Sequence, residues 1–163
     1  LNKRDTVRAY LHNSFSPYAL TDSAISLTDS VSLSAVFRFT YAPNGNYFIA
    51  IKHRNSIETW SSSAVALTSG STVNYDLTSS VSQSYGNNLI QVDISPVRYA
   101  IFSGDINQDG IVDASDLSET DNDAYNSLSG YVRTDVTGDD FVDAADVSII
   151  DNNSFIQASV VSP

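Results

Sequence analysis

The sequence contains no cysteine, and that absence removes a disulfide framework, a thiolate metal site and a cysteine nucleophile together. No run of 18 apolar residues occurs, so nothing reads as a membrane-spanning helix or a membrane insertion. There is no glycine-rich phosphate loop, no HExxH pair and no ordered Ser/His/Asp set. Charged residues are only 17 % of the 163. The chain opens on Leu1 with no leader ahead of it, which reads as a processed or excised segment.

What is present is unevenly spread. Residues 1–103 hold six acids and seven bases, whereas residues 104–163 hold thirteen acids and a single base, Arg133. A charge step of that size marks two units, 1–102 and 103–163. It also argues against nucleic acid as a partner, because phosphates would be repelled. Apolar content of 42 % suffices for a packed core, and the abundance of Ser, Thr and Asn suits an extracellular or cell-surface β-rich protein.

The acidic part is an internal repeat. DINQDGIVDASDLSETDNDAY (105–125) aligns without gaps on DVTGDDFVDAADVSIIDNNSF (135–155), 30 residues later. Two copies of one supersecondary unit, each hiding the other's apolar face, are expected. Within each copy, oxygen-bearing residues recur at the 1, 3, 5, 7, 9 and 12 spacing that surrounds Ca²⁺. In copy one these are Asp105, Asn107, Asp109, the carbonyl of Ile111, Asp113 and Asp116, with Gly110 at the sharp turn. In copy two they are Asp135, Thr137, Asp139, the carbonyl of Phe141, Asp143 and Asp146. Without a cation such carboxylates repel one another. Thr137 in place of asparagine and Asp140 in place of the turn glycine predict a weaker second site, with Asp140 at positive φ.

Each loop should feed a helix. Leu117, Ala124, Tyr125 and Leu128 share one helical stripe, as do Val147, Ile150 and Phe155. Asp121 and Asp151 fall on the same stripe, where they would cap a second helical piece, bond the other repeat or add a calcium ligand. Val112 and Val142 are expected to pair in a short β contact between the loops.

Aspartate at the twelfth position, twice, departs from ordinary EF-hands. With D-x-N-x-D-G-x-V-D-x-x-D it resembles the loop–helix repeats of dockerins. That resemblance implies two Ca²⁺ ions and, through a Ser/Thr pair just past each loop (here Ser118 and Ser148), binding to a cohesin. Dockerin-like repeats also occur as plain tail modules of secreted bacterial proteins.

Strand-period alternation runs through TVRAYL (6–11), AISLTD (24–29), LSAVFRFT (33–40), NYFIAIKHR (46–54), VNYDL (73–77) and NLIQVDIS (88–95), with turns at APNG, SGS and YGNN. Six or seven short strands in this span predict a two-sheet β-sandwich of immunoglobulin- or prealbumin-like type, followed by a small α-helical EF-hand-like pair. AVFRFTYAPNGNYFIAIKHRNSIETW resembles the carboxypeptidase-regulatory branch of prealbumin-like sandwiches. The whole arrangement resembles C-terminal modules of secreted bacterial surface proteins.

KHRNSIETW places His53, Glu58 and Trp60 close together, but strand parity puts His53 on the face of Ile49 and Ile51, at the sheet end, rather than in a catalytic role. His12 lies apart. Trp60 and nine tyrosines offer aromatic faces that a glycan could stack on, or simply core. An N-x-S sequon at Asn152 overlaps the second repeat. The expectation is a non-enzymatic, calcium-stabilised structural or assembly module, of a kind that could serve as a protomer of a surface fibre or scaffold. A cohesin-binding anchor or a glycan-binding adhesion module is the alternative. The alternating strand from Lys3 to Leu11 and the apolar stretch Phe155–Val161 are the two segments that could add to a neighbour's sheet edge; both could equally pair within their own protomer.

Overall fold

A computed structural model describes residues 5–163. Among the described residues, β1 (Thr6–Asn13), β2 (Leu20–Leu27), β3 (Gly45–His53), β4 (Thr59–Trp60), β5 (Val65–Leu67), β6 (Ile90–Ile94) and β7 (Val97–Ala100) precede α1 (Ala114–Tyr125) and α2 (Ala144–Phe155). The protein is mostly β with two helices. One sheet has the order β2-β1-β3-β4, with β5 also on β3, and β6 and β7 form a separate hairpin. All its pairs are antiparallel.

Alternation in β1 does what its period dictates. Ala9 and Leu11 are fully buried, and their cross-strand neighbours include Ala24, Asp22, Ile51 and Ile49. The opposite face carries Tyr10, Phe48, Ala50 and Trp60, which pack with Tyr18, Tyr85 and Val160. Trp60 is therefore core, not a sugar platform: its ring meets His12 at 4.2 Å and its indole N–H donates to Glu58 at 2.8 Å.

Two expected strands are absent. Residues 33–40 and 73–77 form no ladder. Yet the alternation in 33–40 is real: Ala35, Phe37 and Phe39 are half-buried, and Ser34, Val36, Arg38 and Thr40 are exposed. Periodicity reports one-sided packing, and it says nothing of whether a hydrogen-bonding neighbour exists. The short strands β4 and β5 and the strand β7 were not legible, since two to four residues carry too little pattern.

The acidic part sits against the turn after β3. Ile57 joins Ile106, Val112, Ile150 and Ala158 in one cluster, with Phe102, Leu117, Val136 and Val160 packed around it. Polar ties reinforce that seam. Asp5 bonds His53 at 2.8 Å, Arg54 at 3.1 Å and the Tyr131 hydroxyl, while the Arg54 guanidinium lies 4.5 Å from the Tyr131 ring centroid. Arg54 also donates to the carbonyls of Val132 and Asp135, and Asn55 donates to the Asp135 carbonyl at 3.1 Å. His53 is thus a sheet-end residue tied to Asp5 and, at 2.7 Å, to Asn55.

Both segments proposed from sequence for addition to a neighbour are used internally. β1 lies between β2 and β3, and residues 158–160 pair with 110–112. Lys3 and Arg4 lie outside the described residues.

Candidate metal centre

The repeat folds as two near-identical halves related by an approximate two-fold, and the relation extends to individual bonds. Val112 N–H donates to Ala158 at 2.7 Å, and Val142 N–H donates to Leu128 at 2.9 Å. Val160 N–H donates to Gly110 at 2.8 Å, and Gly130 N–H donates to Asp140 at 2.8 Å. Each loop therefore pairs with the chain that follows the other copy's helix. This corrects the expected Val112–Val142 pairing: Ile111 opposes Ser159 and Phe141 opposes Ser129. The segments after the helices carry no strand alternation, so nothing in the sequence marked them as partners.

Position 12 is the best-defined carboxylate of each loop. Asp116 is fully buried; its Oδ1 accepts from Ile106 at 2.8 Å and Asn107 at 3.0 Å, and its Oδ2 accepts from Asp113 at 3.0 Å. Asp146 repeats this with Val136, Thr137 and Asp143 at 2.9, 2.9 and 3.0 Å. Asp113 and Asp143, at position 9, are the N-caps of α1 and α2 and complete capping boxes with Asp116 and Asp146. The Ser115 hydroxyl and amide hold the Asp113 carboxyl below its ordinary pKa.

Position 1 separates the copies. Asp135 Oδ1 accepts from Gly138 at 2.7 Å, Asp139 at 3.2 Å and Thr137 Oγ1 at 3.3 Å, and its Oδ2 accepts from Asp140 at 3.1 Å. Asp105 Oδ2 accepts only from Gly110, at 3.2 Å, and its Oδ1 is buried with no hydrogen-bond partner. Burial, and then the negative charges of Asp116 and Asp109, push the Asp105 carboxyl up, against the opposing field of Lys52. An anionic oxygen shut away from water without a donor is unstable unless something positive reaches it.

The remaining donors of copy one surround that oxygen's loop. Asn107 and Asp109 bond each other, at 2.8 Å (Asp109 N–H to Asn107 Oδ1) and 2.9 Å (Asn107 Nδ2 to Asp109 Oδ2). Ile111 N–H donates to Asp109 at 3.0 Å. Because the flanking residues 110 and 112 make the cross-copy bonds, Ile111 turns its own N–H and carbonyl away from residue 159, toward the loop. Phe141 does the same in copy two, its N–H donating to Asp139 at 3.0 Å.

Among the described residues, no three carboxylate or imidazole groups converge as a finished metal cage. The reason is visible in the bonds: Asp116 faces amides, Asp113 faces Ser115, and Asp109 faces Asn107 and Ile111. The twelve residues read from sequence lie in two loops, and among them only Asp105 has a buried side-chain oxygen with no hydrogen-bond partner. Sequence reasoning missed Asn55 and Arg54, which hold the Asp135 carbonyl, and Gln108, which donates to the Asp105 carbonyl at 2.6 Å. No spacing rule points to such contacts, since two of the three cross from the sheet.

The helix stripes need correction. α1 buries Asp116 and Thr120, and α2 buries Asp146, Ile150 and Asn153. Tyr125 and Phe155 are 90 % and 88 % exposed, so the aromatic at the end of each copy is not core. Asp121 and Asp151 are exposed within uninterrupted helices, so neither caps a second piece nor lies on a buried stripe. No family model, curated protein or solved structure matches the chain.

Proposed function

We propose that the chain is a non-enzymatic, calcium-stabilised extracellular structural module, a dockerin-like repeat pair following a prealbumin-like sandwich, built to take part in assembly. Copy one holds Ca²⁺ through Asp105, Asn107, Asp109, the Ile111 carbonyl, Asp113 and Asp116. Copy two holds it more weakly through the corresponding Asp135, Thr137, Asp139, Phe141, Asp143 and Asp146. The observation that carries this is the buried, unpartnered Oδ1 of Asp105 inside a loop of hard oxygen donors. A hard divalent cation satisfies such an oxygen and offsets the repulsion among its neighbours.

The functional consequence is linkage. A cation that binds only the ordered loop stabilises the fold by RT ln(1 + [L]/Kd), about 2.7 kcal/mol at one hundred times Kd. Because Ile57 inserts into the repeat's own cluster, stiffening the loops also stiffens their seat on the sheet. The test is a thermal melt of the full chain in millimolar Ca²⁺ against chelator. A rise with calcium that Asp109→Ala removes supports the reading; identical melts in both buffers overturn it.

One observation favours an anchoring role as the second reading. Ser118 and Ser148 are exposed at equivalent places on α1 and α2, each hydroxyl bonding the carbonyl one turn back, at 2.7 and 2.6 Å. Capture by an immobilised cohesin, lost in the double Ser→Ala variant, distinguishes it from a purely structural module.

A further inference from the structure

Residues 35–39 alternate in burial as a strand does, yet pair with no neighbour. The segment is anchored at both ends. Asp22 Oδ2 accepts from the amides of Tyr41 at 2.7 Å and Ala42 at 3.0 Å. At the other end, Asp29 N–H donates to Ser34 at 2.8 Å and Leu33 N–H to Asp29 at 2.9 Å. Between these anchors, among the described residues, no backbone amide or carbonyl of 35–39 makes a hydrogen bond. Alternate side chains are turned inward, and Val36 and Arg38 are turned out, Val36 being 72 % exposed. Ordering five residues against the protein while leaving their amides unpaired forfeits the bonds a ladder would supply.

A complementary deficiency lies elsewhere in the chain. β6 and β7 form a two-stranded hairpin that belongs to no larger sheet. Such a hairpin is marginal alone and gains from a third strand. Outside its own ladder, β7 donates from Tyr99 to the Thr78 carbonyl at 2.9 Å, whereas β6 makes no backbone–backbone hydrogen bond beyond the hairpin and its Asp93 carbonyl accepts from the Gln91 side chain at 3.0 Å. Val92 and Ile94 of β6 are 58 % and 85 % exposed. β6 carries Asp93, which lies opposite Arg98 in its own hairpin, and the 35–39 segment carries Arg38, so the two edges are complementary in charge as well as alike in apolar character. No hydrogen bond joins them within one chain.

We propose that the open edge of residues 35–39 takes β6 of a second copy of this chain as an added strand, with Asp93 of one copy facing Arg38 of the next. The two surfaces differ, so the contact is head-to-tail, and repetition gives an open filament unless the rotation closes a ring. This deepens the assembly part of the proposed function and is independent of the calcium part. It also relocates the contact from the chain ends, which are used internally, to the middle of the sheet-bearing part.

The test is particle sizing by light scattering and electron microscopy on the full chain in millimolar Ca²⁺, over a wide concentration range. Assembly is expected to weaken about tenfold in Arg38→Asp and in Asp93→Arg. Combining the two exchanges the charges and restores it. Val36→Pro, which removes one edge amide from an exposed position, abolishes it. The calcium-dependent melt is measured on the same samples: an intact melt shift with a strict monomer sinks the inference and spares the calcium reading. Assembly indifferent to Arg38→Asp and Val36→Pro also overturns it.

Discussion

The two repeat copies share their backbone bonds almost one for one, yet they treat their first aspartate oppositely. Asp135 is fed by three amides and a hydroxyl; Asp105 has one long amide contact and an oxygen with none. The loops differ in where they place glycine. Positions 4 and 6 are left-handed in both, but copy one has Gln108 (φ 64°) then Gly110 (φ 94°), and copy two has Gly138 (φ 77°) then Asp140 (φ 76°). In copy two the amides of positions 4, 5 and 6 all turn onto the first carboxylate; in copy one only that of Gly110 does. Copy two has met its charge with its own backbone, and copy one has left that charge for something else. A shared frame thus yields one first aspartate with an unmet buried oxygen and one that is close to self-sufficient.

The largest expected effect breaks the frame rather than the difference. Asp116→Ala strands three amides in copy one, and Asp146→Ala does the same in copy two. Losing a charged acceptor from several buried donors is expected to cost about 3 kcal/mol or more at either position. Melts in chelator should fall by similar amounts for both; a large disparity between them would show the two-fold relation to be superficial.

The next pair separates the copies. Asp105→Asn should remove most of the calcium-dependent part of the melt, leaving copy two's smaller share, while leaving the chelator melt unchanged or raised, because it removes an unpaired buried charge. Asp135→Asn should lower the chelator melt by about 1–2 kcal/mol, because it removes a satisfied one. Equal losses from both variants in chelator would contradict the contrast drawn from their hydrogen bonds.

Much of this was legible from residue identity. Ligand-type spacing located both loops, and Asp140 was expected at positive φ and is found there. The alternation of β1, β2 and β3 marked the sheet. What failed were inferences needing a partner that the local pattern does not encode. The helical stripes were extended through Tyr125 and Phe155, but burial ends with Thr120 in α1 and Asn153 in α2. The Val112–Val142 contact was inferred from equivalence, and equivalence in a two-fold pair instead sends each loop to the other copy's trailing segment. In 33–40, alternation was read as pairing.

Thr120 gives a smaller test of the same asymmetry. It is fully buried on α1 with its hydroxyl unpartnered, where α2 has Ile150, also fully buried. Thr120→Val keeps the shape and removes the orphaned hydroxyl. A gain of about 1 kcal/mol, or roughly 2–4 °C in a chain of this size, is expected in calcium and in chelator alike. A loss would mean that the hydroxyl has a partner in solution.

The smallest effect asks whether amide feeding, rather than the calcium loop as such, decides a carboxylate's state. Asp22 lies in the sheet, far in sequence from either repeat. Burial works to raise its pKa, but the amides of Tyr41, Ala42, Ser23 and Thr40 outweigh it and hold the carboxyl below its ordinary value. It belongs with Asp135 by its bonding and stands opposite Asp105, which has a single amide donor and is pushed up. The sign follows from linkage: with the folded pKa depressed, the unfolded chain binds the proton more readily, so Asp22 contributes stability above the unfolded value of about 3.8 that is lost as pH falls through the folded one. Melts taken from pH 5 down to pH 2 should therefore decline less steeply in Asp22→Asn than in the parent, by about 1 kcal/mol or less across the window. Identical acid slopes would mean that those four amides do not depend on the charge they face, and would remove the ground for treating the amide-fed Asp135 as self-sufficient.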